Sequence, residues 1–169
     1  MKSIKSYVIS LFFGLGKVFD KINTKYLSME RKGIIGEYFE NGFPVIMKFI
    51  NELPNKEVMN RFHYLVIVSW KYNGKENNGM PENEINKRMI LLEDTIGKSM
   101  KTSKIFLHAY SRTGNNLKEL VYYCTNQTDF MALLNKTLQH HEDYPIEIDF
   151  YEDKDWREFK QVLDDFKGK

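Results

Sequence analysis

Cysteine is nearly missing from this 169-residue chain, with Cys124 the only one. A lone thiol excludes an internal disulfide framework and any zinc site built on several cysteines. A strong net charge is missing too. Twenty-five Lys and Arg stand against 23 Asp and Glu, and this balance of +2 argues against a dedicated DNA-binding protein. No apolar run approaches the ~20 residues of a membrane span. The sequence has no Gly-rich phosphate loop, His-Glu-x-x-His helix, Gly-x-Ser-x-Gly elbow or calcium-loop pattern. Linkers, repeats and low-complexity tracts are absent as well. What is present is a chain 42% hydrophobic and 14% aromatic, long enough to bury about two thirds of its unfolded surface.

The small net charge hides two unlike parts. Residues 1–32 carry seven basic and two acidic side chains, residues 33–169 eighteen and twenty-one, and residues 142–169 five and ten. Ile4, Val8, Leu11, Leu15, Val18 and Ile22 fall at helical spacing, widened by Phe12, Phe19 and Tyr26. The spacing predicts an N-terminal amphipathic helix, followed by a short helical stretch over Ile34 to Phe39. Three uses compete for that helix: packing on its own domain or a second copy, lying on an anionic membrane surface through residues 1–26, or serving as an export signal over residues 1–16. The stripe runs to Tyr26, further than a discarded leader needs, which favours packing. The expected compartment is cytoplasmic, with membrane association or export as alternatives.

From Gly42 onward the pattern changes to strands. Phe43 to Asn51 reads as an extra N-terminal strand, with Pro44 where a missing N–H is tolerated. Arg61 to Tyr72 is apolar on both faces in its middle and reads as a central strand. Pro81 opens a helix through Ile85, Met89, Leu92, Ile96 and Met100, with Glu82 and Glu84 early and Lys98 and Lys101 late, as the helix dipole favours. Lys104 to Arg112 and Leu117 to Thr125 read as strands around a four-residue turn, 113–116. Asp129 to His141 reads as a helix and Pro145 to Tyr151 as a strand. A C-terminal helix, capped by Asp153, follows through Trp156, Phe159, Leu163 and Phe166. The order β-α-β-β-α-β predicts an α+β, ferredoxin-like sandwich with two helices on one sheet face. Residues 41–169 are expected as one domain and residues 1–40 as a helical extension.

Gly42-Phe43-Pro44, Gly79-Met80-Pro81 with Leu92-Glu93-Asp94, and Tyr144-Pro145-Ile146-Glu147-Ile148 with Tyr151-Glu152-Asp153 and Trp156 occur in this order. Together they resemble the bacterial family catalogued as domain of unknown function 695, over about residues 42–163. That resemblance carries no reaction and no catalytic residues to transfer. The architecture is also similar to that of the family called regulator of ribonuclease activity B. That similarity implies, at fold level alone, a protein-binding role.

His140-His141-Glu142-Asp143 resembles a ligand cluster, but adjacent helical side chains diverge by about 100°, so the pair reads as a solvated helix end. Cys124, on a strand, reads as a small buried hydrophobe. Glu93-Asp94 reads as one buried-edge contact and one solvated charge. No metal or cofactor is expected. With a four-residue hairpin loop, Phe106, His108, Tyr110 and Arg112 share a face with Glu119 and Tyr123, opposite the helices. Glu147, Asp149 and Tyr151 join them. This aromatic, acidic surface is unsuited to a phosphate backbone, so nucleic acid is not an expected partner. It is expected to be covered by the N-terminal helices, to form a dimer or protein-partner interface, or to hold a small molecule. The leading expectation is a non-catalytic interaction or regulatory module. The alternative is an uncharacterised enzyme or small-ligand binder, with His108, Tyr110, Glu119 and Asp149 in a cleft beside the N-terminal segment.

Overall fold

Apolar side chains on both faces of residues 64–71 need neighbours above and below, and in the computed structural model this segment lies in a sheet with helices packed on each face. The structure describes residues 5–8 and 33–167. Along them run β1 (Lys5–Val8), β2 (Gly33–Glu40), β3 (Phe43–Ile50), α1 (Lys56–Arg61), β4 (Tyr64–Lys71), α2 (Asn83–Thr102), β5 (Phe106–Gly114), β6 (Leu117–Cys124), α3 (Gln127–Leu138), β7 (Glu147–Glu152) and α4 (Arg157–Asp165). The fold is α+β. Its strands form one antiparallel sheet in the order β1-β2-β3-β5-β6-β4-β7. This order differs from a simple four-stranded ferredoxin sheet, because β1, β2 and β3 extend it beyond β5.

Two expectations at the N-terminus are corrected. Residues 34–39 belong to strand β2, not to a helix, and residues 5–8 form β1, paired with Ile34–Glu37. The reason lies in the next two residues. Asn41 and Gly42 both take positive φ (53° and 83°) and fold β2 onto β3 as a two-residue hairpin. The aromatic and β-branched side chains before that turn then extend as a strand. The rest of the expected N-terminal helix, with the packing, membrane and export readings that depend on it, lies outside the described residues.

Each face has its own core. Met89, Leu92 and Ile96 of α2 and Phe130 and Leu134 of α3 pack on Val66, Val68, Trp70, Leu120 and Tyr122. On the other face, Phe159, Val162 and Leu163 of α4, with the flanking Trp156 and Phe166, pack on Tyr38, Val45, Met47, Phe49, Tyr110, Val121 and Tyr123. The face expected to lie open, or under the N-terminal helices, is therefore largely closed by the C-terminal helix. The N-cap position of α4 is Trp156, not Asp153, but the Asp153 carboxylate supplies the cap from upstream, accepting the Arg157 and Glu158 amides at 2.8 and 3.1 Å. The short helix α1, capped by the Asn55 side chain on the Val58 amide at 2.9 Å, stands where the sequence pattern predicts no element. It delays the start of β4 from Arg61 to Tyr64.

Candidate functional site

The β5–β6 hairpin decides which of the expected surface residues stand together. Its turn is two residues, Asn115-Asn116, both at positive φ, so Gly114 faces Leu117 and Arg112 faces Glu119. A bulge between His108 and Tyr110 then shifts the register, pairing Tyr110 with Val121 but His108 with Tyr122 and Phe106 with Cys124. One extra residue reverses every side chain beyond it. Phe106 therefore packs with Tyr122 and Phe130 under α2 and α3, and His108 lies edge-on to Tyr122. Tyr110, Arg112, Glu119 and Tyr123 remain on the α4 face. The expected nine-residue surface is thus divided between the two sides of the sheet. The His108, Tyr110, Glu119 and Asp149 cleft does not assemble, since His108 is on the opposite side.

On the α4 face, the polar members are engaged with one another. The Arg112 guanidinium is held between Glu40, across β3, and Glu119, its partner on β6, 3.5 Å from Nε. Asn115 donates to the same Glu40 oxygen at 3.1 Å. The Tyr110 hydroxyl donates to Glu158 at 3.3 Å and the Tyr123 hydroxyl to Asp153 at 2.6 Å. Burial pushes both phenols well above their ordinary pKa, and the neighbouring carboxylates push the same way. Burial also raises Glu119, the Arg112 charge opposing it. Tyr110 and Tyr123 act as hydrogen-bond donors that fasten α4 to the sheet.

What α4 leaves open is the strip beside β7. Register places Asp149 opposite Ile67, Tyr151 opposite Leu65 and Glu147 opposite Ser69, all on the α4 side. An open groove of about 360 Å³ runs there, lined by Leu65, Ile67, Tyr151, Asp153, Arg157 and Glu158. Tyr151 is 53% exposed. Glu147 pairs with Lys71 at 2.8 Å. Of the expected surface, only Glu147, Asp149 and Tyr151 are presented as a contiguous exposed edge.

A second polar group sits beneath α2, and the hairpin expectation concealed it. Lys118, only 5% exposed, reaches Glu93 of α2 at 2.6 Å and Thr113 at 3.4 Å, and Ser111 is 3.5 Å from the other Glu93 oxygen. Burial works against the Glu93 carboxylate, but the charge and hydrogen bond of Lys118, with Lys48 behind, outweigh it and keep its pKa below the ordinary value. His108 stands beside this pair with Nε2 shielded and without a hydrogen-bond partner. Burial lowers its pKa to about 4 against the pull of Glu93, so the imidazole is neutral at physiological pH. The one available signal was Glu93-Asp94: Glu93 does make the buried-edge contact, and Asp94 is solvated.

Cys124 is fully buried, and burial pushes its thiol up to about 12. At the end of α3, His141 Nδ1 contacts the Tyr144 hydroxyl at 2.9 Å and His140 contacts Gln139 at 3.0 Å. Among the described residues, no group of three or more His, Cys, Asp or Glu side chains is placed to hold a metal ion, and no helix is long and apolar enough to cross a membrane. Among known proteins, the model of a family of unknown function, DUF695, matches residues 39–163. No curated protein and no solved structure matches the chain.

Proposed function

The chain belongs to the DUF695 family, and on that premise we propose that it is a non-catalytic interaction module that binds a protein partner through the strip between β7 and α4. The observation that carries this reading is the groove itself. It joins an apolar floor, Leu65 and Ile67, to an exposed aromatic, Tyr151, and a charged rim, Asp153, Arg157 and Glu158. An aromatic anchor beside a polar rim is the arrangement of a protein contact. Of the other polar groups of that face, Arg112, Glu40, Glu119 and Asn115 are engaged with one another, while Tyr110 and Tyr123 tie the rim carboxylates to the sheet. The scaffold is read as ferredoxin-like at its centre. The order β5-β6-β4-β7, with α2 and α3 on one face, supports this.

Site-specific photo-crosslinking in cells tests the reading. A photoreactive phenylalanine in place of Tyr151 is expected to give discrete protein adducts. The same residue in place of Leu91, 50% exposed on α2, is expected not to give them. Adducts that are identical at both positions, or absent at Tyr151, overturn it.

A further inference from the structure

β7 ends the sheet: among the described residues it pairs with β4 alone. The direction of its free backbone groups follows from one hydrogen bond. The Asp153 amide donates to His63 O at 2.8 Å, continuing the β4–β7 register. Antiparallel pairing alternates, so Tyr151, Asp149 and Glu147 also turn their backbone groups toward β4, and Ile148, Phe150 and Glu152 turn theirs outward. The outward row is three residues long, enough for a short added strand.

Side chains specify what could be added. On the α4 side, β7 presents Glu147, Asp149 and Tyr151. On the other side, Ile148 and Phe150 are partly buried against the α2–α3 core, Phe150 edge-on to Phe130 at 5.8 Å. Residues 142–153 contain six acidic side chains and no basic one; Lys71 already pairs with Glu147 and Lys154 with Glu152, which leaves Asp149 as the carboxylate of this edge open to a basic partner. Asp149 has no hydrogen bond or ion pair from its side chain among the described residues. A second copy of β7 would set carboxylate against carboxylate, which disfavours self-pairing.

We propose that β7 is a docking edge for an extended peptide segment whose basic residues alternate with aliphatic ones. The segment joins the sheet as an eighth strand, its Lys or Arg side chains beside Glu147 and Asp149 and its aliphatic side chains beside Ile148 and Phe150. Main-chain hydrogen bonds supply the attachment and the alternating side chains supply the selection. This rests on the interaction reading above and adds the chemistry of the partner.

The test uses the full chain and an eight-residue capped peptide alternating lysine and valine, with two controls: glutamate in place of lysine, and N-methylated valine amides. Fluorescence anisotropy is expected to show salt-sensitive binding of the lysine peptide, at least tenfold tighter than either control. Amide exchange is expected to slow at Ile148, Phe150 and Glu152 when it binds. Asp149→Lys, at an exposed position, is expected to weaken the lysine peptide at least tenfold with an unchanged circular dichroism spectrum. Lysine-peptide binding without protection at those three amides, or equally strong binding of the N-methylated peptide, overturns strand addition while leaving the Tyr151 crosslinks standing. Failure of the lysine peptide to bind overturns the basic-partner assignment in the same way.

Discussion

Tyr123 and Trp156 lie face to face, with ring centroids 3.8 Å apart and planes within 5° of parallel. The stack joins the middle of the sheet to the start of α4. Trp156 gives its indole N–H to Phe62 O at 2.8 Å, and Tyr123 gives its hydroxyl to the same Asp153 that caps the helix. Tyr123, Trp156 and Asp153 thus form one connected contact at the start of the helix that closes this face.

Trp156→Ala is expected to lose about 3–5 kcal/mol, the range for deleting a large buried aromatic. Asp153→Ala is expected to lose about 1–2 kcal/mol through the cap. Because both act on one docking event, the double variant should lose less than the two losses added together. Urea unfolding measures all three. Full additivity would mean that cap and stack act independently.

The central strands and main helices were legible because their periods are strong: Phe62 to Trp70 alternates with apolar residues on both faces, and Ile85 to Met100 repeats at helical spacing. The face of His108 was not legible. It depends on a bulge at one residue, and nothing in Leu107-His108-Ala109-Tyr110 announces an extra residue in the ladder. The hairpin turn was half legible, since Thr113-Gly114-Asn115-Asn116 marks a turn by composition without saying whether two residues or four make it. Ile34 to Phe39 differs from its expected helix because six residues carry too little periodicity to separate helix from strand. Asn41-Gly42 was the stronger signal there.

Gly36, on β2, lies under Phe166, and a Cβ at that position would overlap the ring. Gly36→Ala is expected to cost about 1–3 kcal/mol by overpacking. Phe166→Leu alone also destabilises, since it gives up the contact with Phe49 at 5.0 Å. In the Gly36→Ala background, however, the same change should restore part of the loss. Thermal midpoints of the four proteins decide the matter: if Phe166→Leu costs as much in both backgrounds, the overlap is not the cause.

Lys118 and Glu93 form an enclosed pair with one window to solvent, the Glu93 side chain being 24% exposed. Removing one partner, as in Lys118→Ala, leaves a shielded charge. The loss should approach, without reaching, the roughly 3–5 kcal/mol of a fully enclosed pair. Replacing both by methionine should be close to neutral, as for buried pairs that specify position more than they stabilise. Denaturant titration of the single and double variants separates the two effects. A double variant as unstable as Lys118→Ala would show that the pair itself stabilises the fold.

His108 sets how stability responds to acid. Its imidazole faces Glu93 from α2, Lys118 and Tyr122 from β6 and Lys48 from β3, and it titrates near 4 in the fold against an ordinary value of 6.5. Between those values the unfolded chain binds a proton that the folded protein refuses, so stability is complete above pH 6.5 and falls as pH drops toward 4. The shift corresponds to about 3 kcal/mol before discounting for residual solvent contact. Glu93 acts in a lower window. Its folded pKa is depressed, so its contribution is present above the ordinary carboxylate pKa and is lost as pH falls through the lower folded value. His108→Gln should therefore flatten the stability profile between pH 4 and 6.5 and leave the steeper acid limb in place. Imidazole proton shifts followed by NMR give the independent check. A His108 midpoint at or above 6.5 would remove the imidazole from this account and leave Glu93 as the group responsible for acid sensitivity.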